Sequence, residues 1–225
     1  MSLFSDIQFL TEKMHRLSTG LNFEEFIIGH SRRQFLSKHA AHSRDLSGAA
    51  CVFFRKVDDA LRIAIYFDRA IISALERNDP RNGLSENNIS AFLMFIEEIN
   101  HAVHGAVQFT EGERDIRREA FARNLELLAK IDAYLFLKYF VARFNRSRQL
   151  EMMDRLWLRT HVFESAVFDY EQKIMENRYR ETIVLGEKFT RFLDGIPVAE
   201  RNGELLRLRK MRYAQKKNYI RLLPN

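Results

Sequence analysis

Chain breakers are nearly absent from this sequence: nine glycines and three prolines punctuate 225 residues. A fold of many short strands needs turn residues at close intervals, so their scarcity favours long helices. The longest such stretch, Leu150 to Leu193, has no proline and only Gly186. It reads as one very long helix or two with a kink, and its second face could pair with another copy of the chain in a homo-oligomer. Nineteen phenylalanines supply more apolar payload than a disordered tail or a solvated rod carries. At this length a substantial core is affordable in one large domain or two small ones. No repeat, low-complexity tract or composition shift marks a boundary, so residues 1–225 read as a single mostly helical domain.

One segment departs from the helical period. Cys51–Val57 and Ala60–Phe67 are β-branched and aromatic, with Leu61, Ile63, Ile65 and Phe67 on one face and Asp58-Asp59 between them. That is the pattern of a β-hairpin over about residues 51–67, which must pack on helices because two strands alone are marginal. Helices are expected over Phe4–Leu17, Phe23–His39 (capped by Asn22), Arg69–Arg77, Ser85–Phe109 with Asn88 as a rival cap, Glu113–Phe144, and a last basic helix over Gly203–Leu223. Asn78–Gly83, Thr110–Glu113, Asn145–Arg148 and Asp194–Pro197 read as loops. The expected class is mainly α: a helical bundle with one small hairpin packed on it.

The N-terminus lacks the basic start and unbroken apolar run of a signal peptide. The most apolar window, Tyr134–Ala142, is far below the ~20 residues a membrane helix needs, and Lys138 interrupts it. The lone Cys51 cannot form an internal disulfide, which fits a reducing compartment. A cytoplasmic protein without a membrane partner is expected.

Chemistry is densest in Phe95–His104, where two carboxylates and two imidazoles fall within eight residues. On a helical wheel Glu97, His101, His104 and Gln108 share one flank of the buried stripe, Glu98 points away from the core, and Asn100 falls inside the stripe. Asp132 sits in the middle of the inward face of the following helix, whereas Glu119–Arg123 and Glu126–Lys130 read as solvated pairs on its far side. Glu164 and Glu171 face inward on the next helix, with His161 at the edge and Arg178 seven residues beyond Glu171. Ferritin-like di-metal proteins use a Glu from each of two helices and a Glu-x-x-His from each of two others, and Glu98-Ile-Asn-His101 resembles one such half-motif in general style. The second half is missing, since His161-Val-Phe-Glu164 has the reverse order. This reading assigns Glu97, His101, His104, Asp132, Glu164 and Glu171 to iron, manganese or zinc. Without a metal, Asp132, Glu164 and Glu171 would pair with arginines such as Arg155 or Arg178 or cap backbone groups, Glu97 and His101 would form a weak spacing-four pair, and no cofactor would be needed.

Charge supports a different function. The formal net charge is +6, and the excess concentrates in Arg201, Arg207, Arg209, Lys210, Arg212, Lys216, Lys217 and Arg221, against little acid beyond Glu204. Tyr213 and Tyr219 are interleaved and could stack on bases. The leading expectation is therefore a non-enzymatic binding protein whose basic C-terminal segment meets an anionic partner, nucleic acid or acidic protein. The alternative is the metal-dependent bundle. A glycine-rich phosphate loop, a Gly-x-Ser-x-Gly elbow and a Cys-x-x-Cys pair are all missing, so the chemistries built on them are excluded as readings.

Overall fold

The computed structural model describes residues 2–39, 48–164 and 173–224. Helix α1 spans Leu3–His15; the Ser2 hydroxyl caps it by accepting from the Ser5 N–H at 3.1 Å, and Arg16 ends it in the left-handed region at φ 51°. Phe23–Phe26 forms a single 3₁₀ turn capped by Asn22, and α2 runs over His30–His39. The continuous helix expected across Phe23–His39 is thus broken at Ile27–Gly29. There the Ile28 N–H donates to the Ile65 carbonyl at 2.8 Å, and the β-branched pair extends the hairpin edge by one bridge.

The hairpin stands as expected. Strands β1 (Ala50–Val57) and β2 (Ala60–Phe67) pair antiparallel with Cys51 opposite Tyr66 and Phe54 opposite Ile63. The two-residue turn needs a positive φ, and Asp58 supplies it at 52°. Cys51 is buried on β1, and its thiol is pushed up to about 12 by that burial, with the Glu98 carboxylate adding to the effect.

Helix α3 covers Arg69–Arg77, capped by Asp68, and leads through a 3₁₀ turn at Pro80–Asn82 to α4, Ile89–Thr110. The start of α4 lies four residues later than Ser85 because the Asn88 side chain holds the preceding turn: it accepts from Ser85 N–H (3.0 Å) and donates to the carbonyls of Asn78 (3.0 Å) and Gly83 (2.8 Å). Gly112, at φ 104°, turns the chain, and α5 begins at Glu119 rather than Glu113 and runs to Phe144. Within Leu150–Leu193 the described residues form α6 (Met152–Arg159), a π-helical turn (Thr160–Glu164) and α7 (Lys173–Gly195). The stretch between Glu164 and Lys173 lies outside the described residues. The expected last helix is two: α8 (Val198–Lys210) and α9 (Tyr213–Leu222), separated by extended backbone at Met211 and Arg212.

Helices α4 and α5 lie antiparallel at the centre, as the pairs Glu97–Lys130 and Gln108–Asn124 show. One core gathers Phe92, Ile96, Ile99 and Val103 of α4 with Phe4 and Ile7 of α1, Ile65 and Phe67 of β2, and Tyr134, Leu137 and Phe140 of α5. A second joins Leu127 and Ile131 of α5 to Leu185, Phe189 and Leu193 of α7 and to Leu205, Leu208, Tyr213 and Ile220 from α8 and α9. Helix α5 serves both, which explains why its sequence is apolar nearly all round. The hairpin rests on α4 where Gly105 leaves room for the Phe54 ring; a Cβ there would lie 2.5 Å from it. No described helix is long and apolar enough to cross a membrane.

Candidate metal centre

A buried polar ladder runs along α4. Asn100, His104 and Gln108, at spacing four, fall on one stripe, and each meets a polar side chain from another helix. Thr11 of α1 meets Asn100 at 2.7 Å; Asp132 of α5 meets His104; Asn124 of α5 donates to Gln108 at 2.7 Å. Lys216 of α9 closes the ladder, donating to Asn124 Oδ1 at 2.7 Å and to the Arg209 carbonyl at 3.2 Å. The Thr11 hydroxyl lies within reach of both the Ile7 carbonyl (2.9 Å) and the Asn100 amide. One proton can serve only one of them, so the amide orientation that satisfies both turns Nδ2 toward Thr11.

The middle rung joins three helices. His15 Nε2 lies 2.8 and 2.9 Å from the two oxygens of Asp132, and His104 Nε2 lies 2.7 Å from Oδ2. The imidazoles meet edge to face, 4.7 Å between centroids, and the three side chains are at most 2% exposed. Burial alone would raise the Asp132 carboxyl, but the electrostatic pull of the two imidazoles and their hydrogen bonds hold it down at about 2. Burial likewise dominates at His104 and lowers it to about 4, against the pull of Asp132. At neutral pH the rung therefore holds a carboxylate and a neutral His104 imidazole. These are the protonation states a metal requires of its ligands. The donor atoms of His15, His104 and Asp132 all fall within 4.8 Å of one another.

Beside this rung, on the flank toward the hairpin, His101 lies between two carboxylates: Nδ1 is 3.4 Å from Glu98 and Nε2 is 3.5 Å from Glu126. Burial would lower this imidazole, yet Glu126 and Glu98 together raise it well above its ordinary value. Glu98 itself is raised by burial, and Glu126 is held low chiefly by His101 against its own burial. Two expectations fail here. Glu98 is only 15% exposed and does not point to solvent, because its side chain turns toward His101 and lies near Cys51 of the hairpin. Glu126 is buried against His101 and is no solvated residue, while Lys130 crosses to Glu97 at 2.5 Å.

Of the six expected ligands, the structure brings together His104 and Asp132. Glu97 and His101 are engaged with Lys130, Glu98 and Glu126. Glu164 is exposed and accepts from Thr160 at 3.0 Å, because the π turn rotates it off the inward face; Glu171 lies outside the described residues. His15 was missed. Its signal is in the sequence, since Phe4, Ile7, Thr11 and His15 recur at spacings of three and four and form the buried stripe of α1.

The C-terminal cations are mostly engaged within the fold. Arg209 pairs with Glu111 at 2.7 Å, Lys217 with Glu181, and Arg221 lies 3.8 Å from Glu181. Arg207 stacks on Tyr219, and Arg201 donates to the carbonyls of Ile196 (3.1 Å) and Asp194 (3.2 Å). Lys216 is wholly buried, and its ammonium is lowered to about 7 by desolvation and by Arg209 nearby. Lys210 and Arg212 remain exposed.

No family model, curated protein or solved structure gives a significant match to this chain.

Proposed function

We propose that the protein binds one first-row divalent metal ion, iron(II), manganese or zinc, between α1, α4 and α5. The observation that carries this reading is the convergence of His15 Nε2, His104 Nε2 and both oxygens of Asp132, which offers four donor atoms if the carboxylate binds through both oxygens. Two imidazoles and a carboxylate suit these borderline metals rather than calcium or magnesium. The hydrogen-bonded rung is also chemically incomplete, since His15 Nδ1 is buried without a partner among the described residues. In the metal-free rung each imidazole can donate a hydrogen bond from Nε2 to Asp132; to hold a metal, both Nε2 atoms would serve as ligands and the ring proton would sit on Nδ1. His15, His104 and Asp132 would together hold the ion, and the ion would supply a positive charge that ties the carboxylate to both imidazoles. Enclosure on all sides makes the ion a tie between three helices rather than an open catalytic centre.

The test is elemental analysis of protein purified without chelators, joined to thermal unfolding of chelator-treated protein with each metal restored. About one equivalent per chain is expected. At a hundredfold excess over Kd, Tm should rise by about 5–10 °C. His15→Ala should abolish both effects. No stoichiometric metal, together with unchanged Tm in every metal, would overturn the assignment.

A second reading rests on the exposed cations Arg207, Lys210, Arg212 and Arg221 of α8 and α9, which support an anionic macromolecular partner. Binding to a nucleic acid duplex should then fall steeply with salt and should be lost when these four are replaced by glutamine; retention of binding by that variant would exclude it.

A further inference from the structure

Away from the ladder, a single carboxylate is surrounded by more positive charge than it can neutralise. Asp194, in the last turn of α7, accepts from the Tyr134 hydroxyl at 2.6 Å, from Arg159 Nη2 at 2.8 Å and from the Lys138 ammonium. Arg155 Nη1 lies 3.9 Å from the same carboxylate, and Arg201 donates to the backbone carbonyls of Ile196 (3.1 Å) and Asp194 (3.2 Å) at the end of α7. Three cations from α5 and α6 thus share one carboxylate, and a fourth from α8 sits on the backbone carbonyls beside it. The α7 terminus contributes roughly half a negative charge more, so a clear positive excess remains.

The excess is also poorly hydrated. The side chains of Lys138 and Arg159 are 19% and 11% exposed, whereas Arg155 is 43% exposed and forms the outer side of the cluster. Desolvating like charges side by side is costly, and a fold that needed only to satisfy Asp194 could do so with one or two of them. The cost is visible at Lys138, whose ammonium is lowered by burial and further by Arg201 and Arg155. Arg159 stacks on Tyr134 at 4.9 Å, which fixes its guanidinium, and its Nη1 is buried without an acceptor among the described residues. Both oxygens of Asp194 are already used. Arg159 Nη1 is thus left as a buried donor with no oxygen of Asp194 available to accept from it.

We propose that this junction is a binding site for a single phosphate group, held by Lys138, Arg155, Arg159 and Arg201. Planar guanidinium forks match phosphate oxygens in pairs, and a lysine beside them adds a point charge. The cluster is compact and mostly enclosed, so one phosphate group, either free or as the monoester of a small molecule, fits its chemistry better than an extended polyanion. Nothing in this site is shared with His15, His104 and Asp132, and it stands whether or not a metal binds there.

The experiment is thermal unfolding and calorimetric titration of the full chain with inorganic phosphate and with phenyl phosphate, each against sodium chloride at equal ionic strength. Phosphate is expected to raise Tm beyond chloride, and Arg155→Gln, at the half-exposed position, should weaken its affinity about tenfold. Asp194→Asn supplies an independent check: with the competing carboxylate gone, phosphate should raise the Tm of this variant more than that of the parent protein. Stronger binding of phenyl phosphate would identify the ligand as a monoester, and preference for the inorganic ion would identify free phosphate. Coincident phosphate and chloride curves would overturn the proposal. So would an unchanged phosphate response in Arg155→Gln, or binding of a single-stranded oligonucleotide that phosphate cannot displace.

Discussion

At the scale of single residues, the ladder sets opposite pH dependences side by side. His104 is lowered to about 4 in the fold, so between that value and about 6.5 the unfolded chain binds a proton that the metal-free native state refuses. Stability is lost as pH falls through this window, by up to about 1.4 kcal/mol per pH unit. Asp132, lowered to about 2, contributes above its ordinary value near 3.8 and loses that contribution as pH falls further. His101 has the reverse sign: its raised value stabilises the fold at low pH, and the benefit disappears as pH rises through it. His104→Gln should therefore flatten the acid limb between pH 4 and 6.5 in denaturant titrations of chelated protein. Parallel curves for variant and parent would mean that His104 is not buried in neutral form. Helical wheels located Asn100 and Asp132 as inward polar groups, because burial of a helix face follows from its own periodicity. They misplaced Glu98, because a long side chain on a flank goes where a neighbouring element covers it. The covering residues, Glu126 and the hairpin, lie far away in sequence.

At the scale of elements, local signals sufficed where a cap or turn residue decides the outcome. The hairpin with Asp58 in its turn, α3 with Asp68 before it, and the loop at Asn78–Gly83 were all legible. The breaks at Ile27–Gly29 and Met211–Arg212 were not, since the first exists to pair with β2 and the second to bring α9 against α5 and α7. Two docked elements give measurable consequences. Gly105→Ala improves helix propensity but drives a methyl group into the Phe54 ring, and a net loss of about 1–3 kcal/mol is expected on denaturation. Neutrality or stabilisation would show that the hairpin can lift from α4 without cost. Helix α9 inserts Lys216, lowered to about 7 mainly by desolvation, where the unfolded lysine stays charged to about 10.4. The penalty is complete below pH 7 and shrinks as pH rises toward 10.4. Relative to Lys216→Met, the parent should gain stability across that range by up to about 1.4 kcal/mol per unit. A constant difference between the two would refute the buried ammonium.

For the whole molecule, the decisive feature is that α5 lines both cores, with Leu127 and Ile131 on one side and Tyr134, Leu137 and Phe140 on the other. Neither core can melt without withdrawing a wall from its neighbour. Unfolding of the metal-free chain should accordingly be one cooperative transition, with the fluorescence of Trp157 on α6 and the helical ellipticity changing at the same denaturant concentration. Separated midpoints would mean that α7–α9 form an independent unit. The architecture as a class was written in the scarcity of chain breakers, but the meeting of His15 with His104 and Asp132 was not, because it depends on three helices crossing at one level. The lone Cys51 carries a practical consequence for all of these measurements. Its thiol is enclosed and held protonated up to about pH 12, so the native protein should behave toward maleimides as if it contained no cysteine. A cysteine introduced on an exposed turn would then be the sole labelling point. Dyes or spin probes could follow the movement of any chosen helix without first removing the natural thiol.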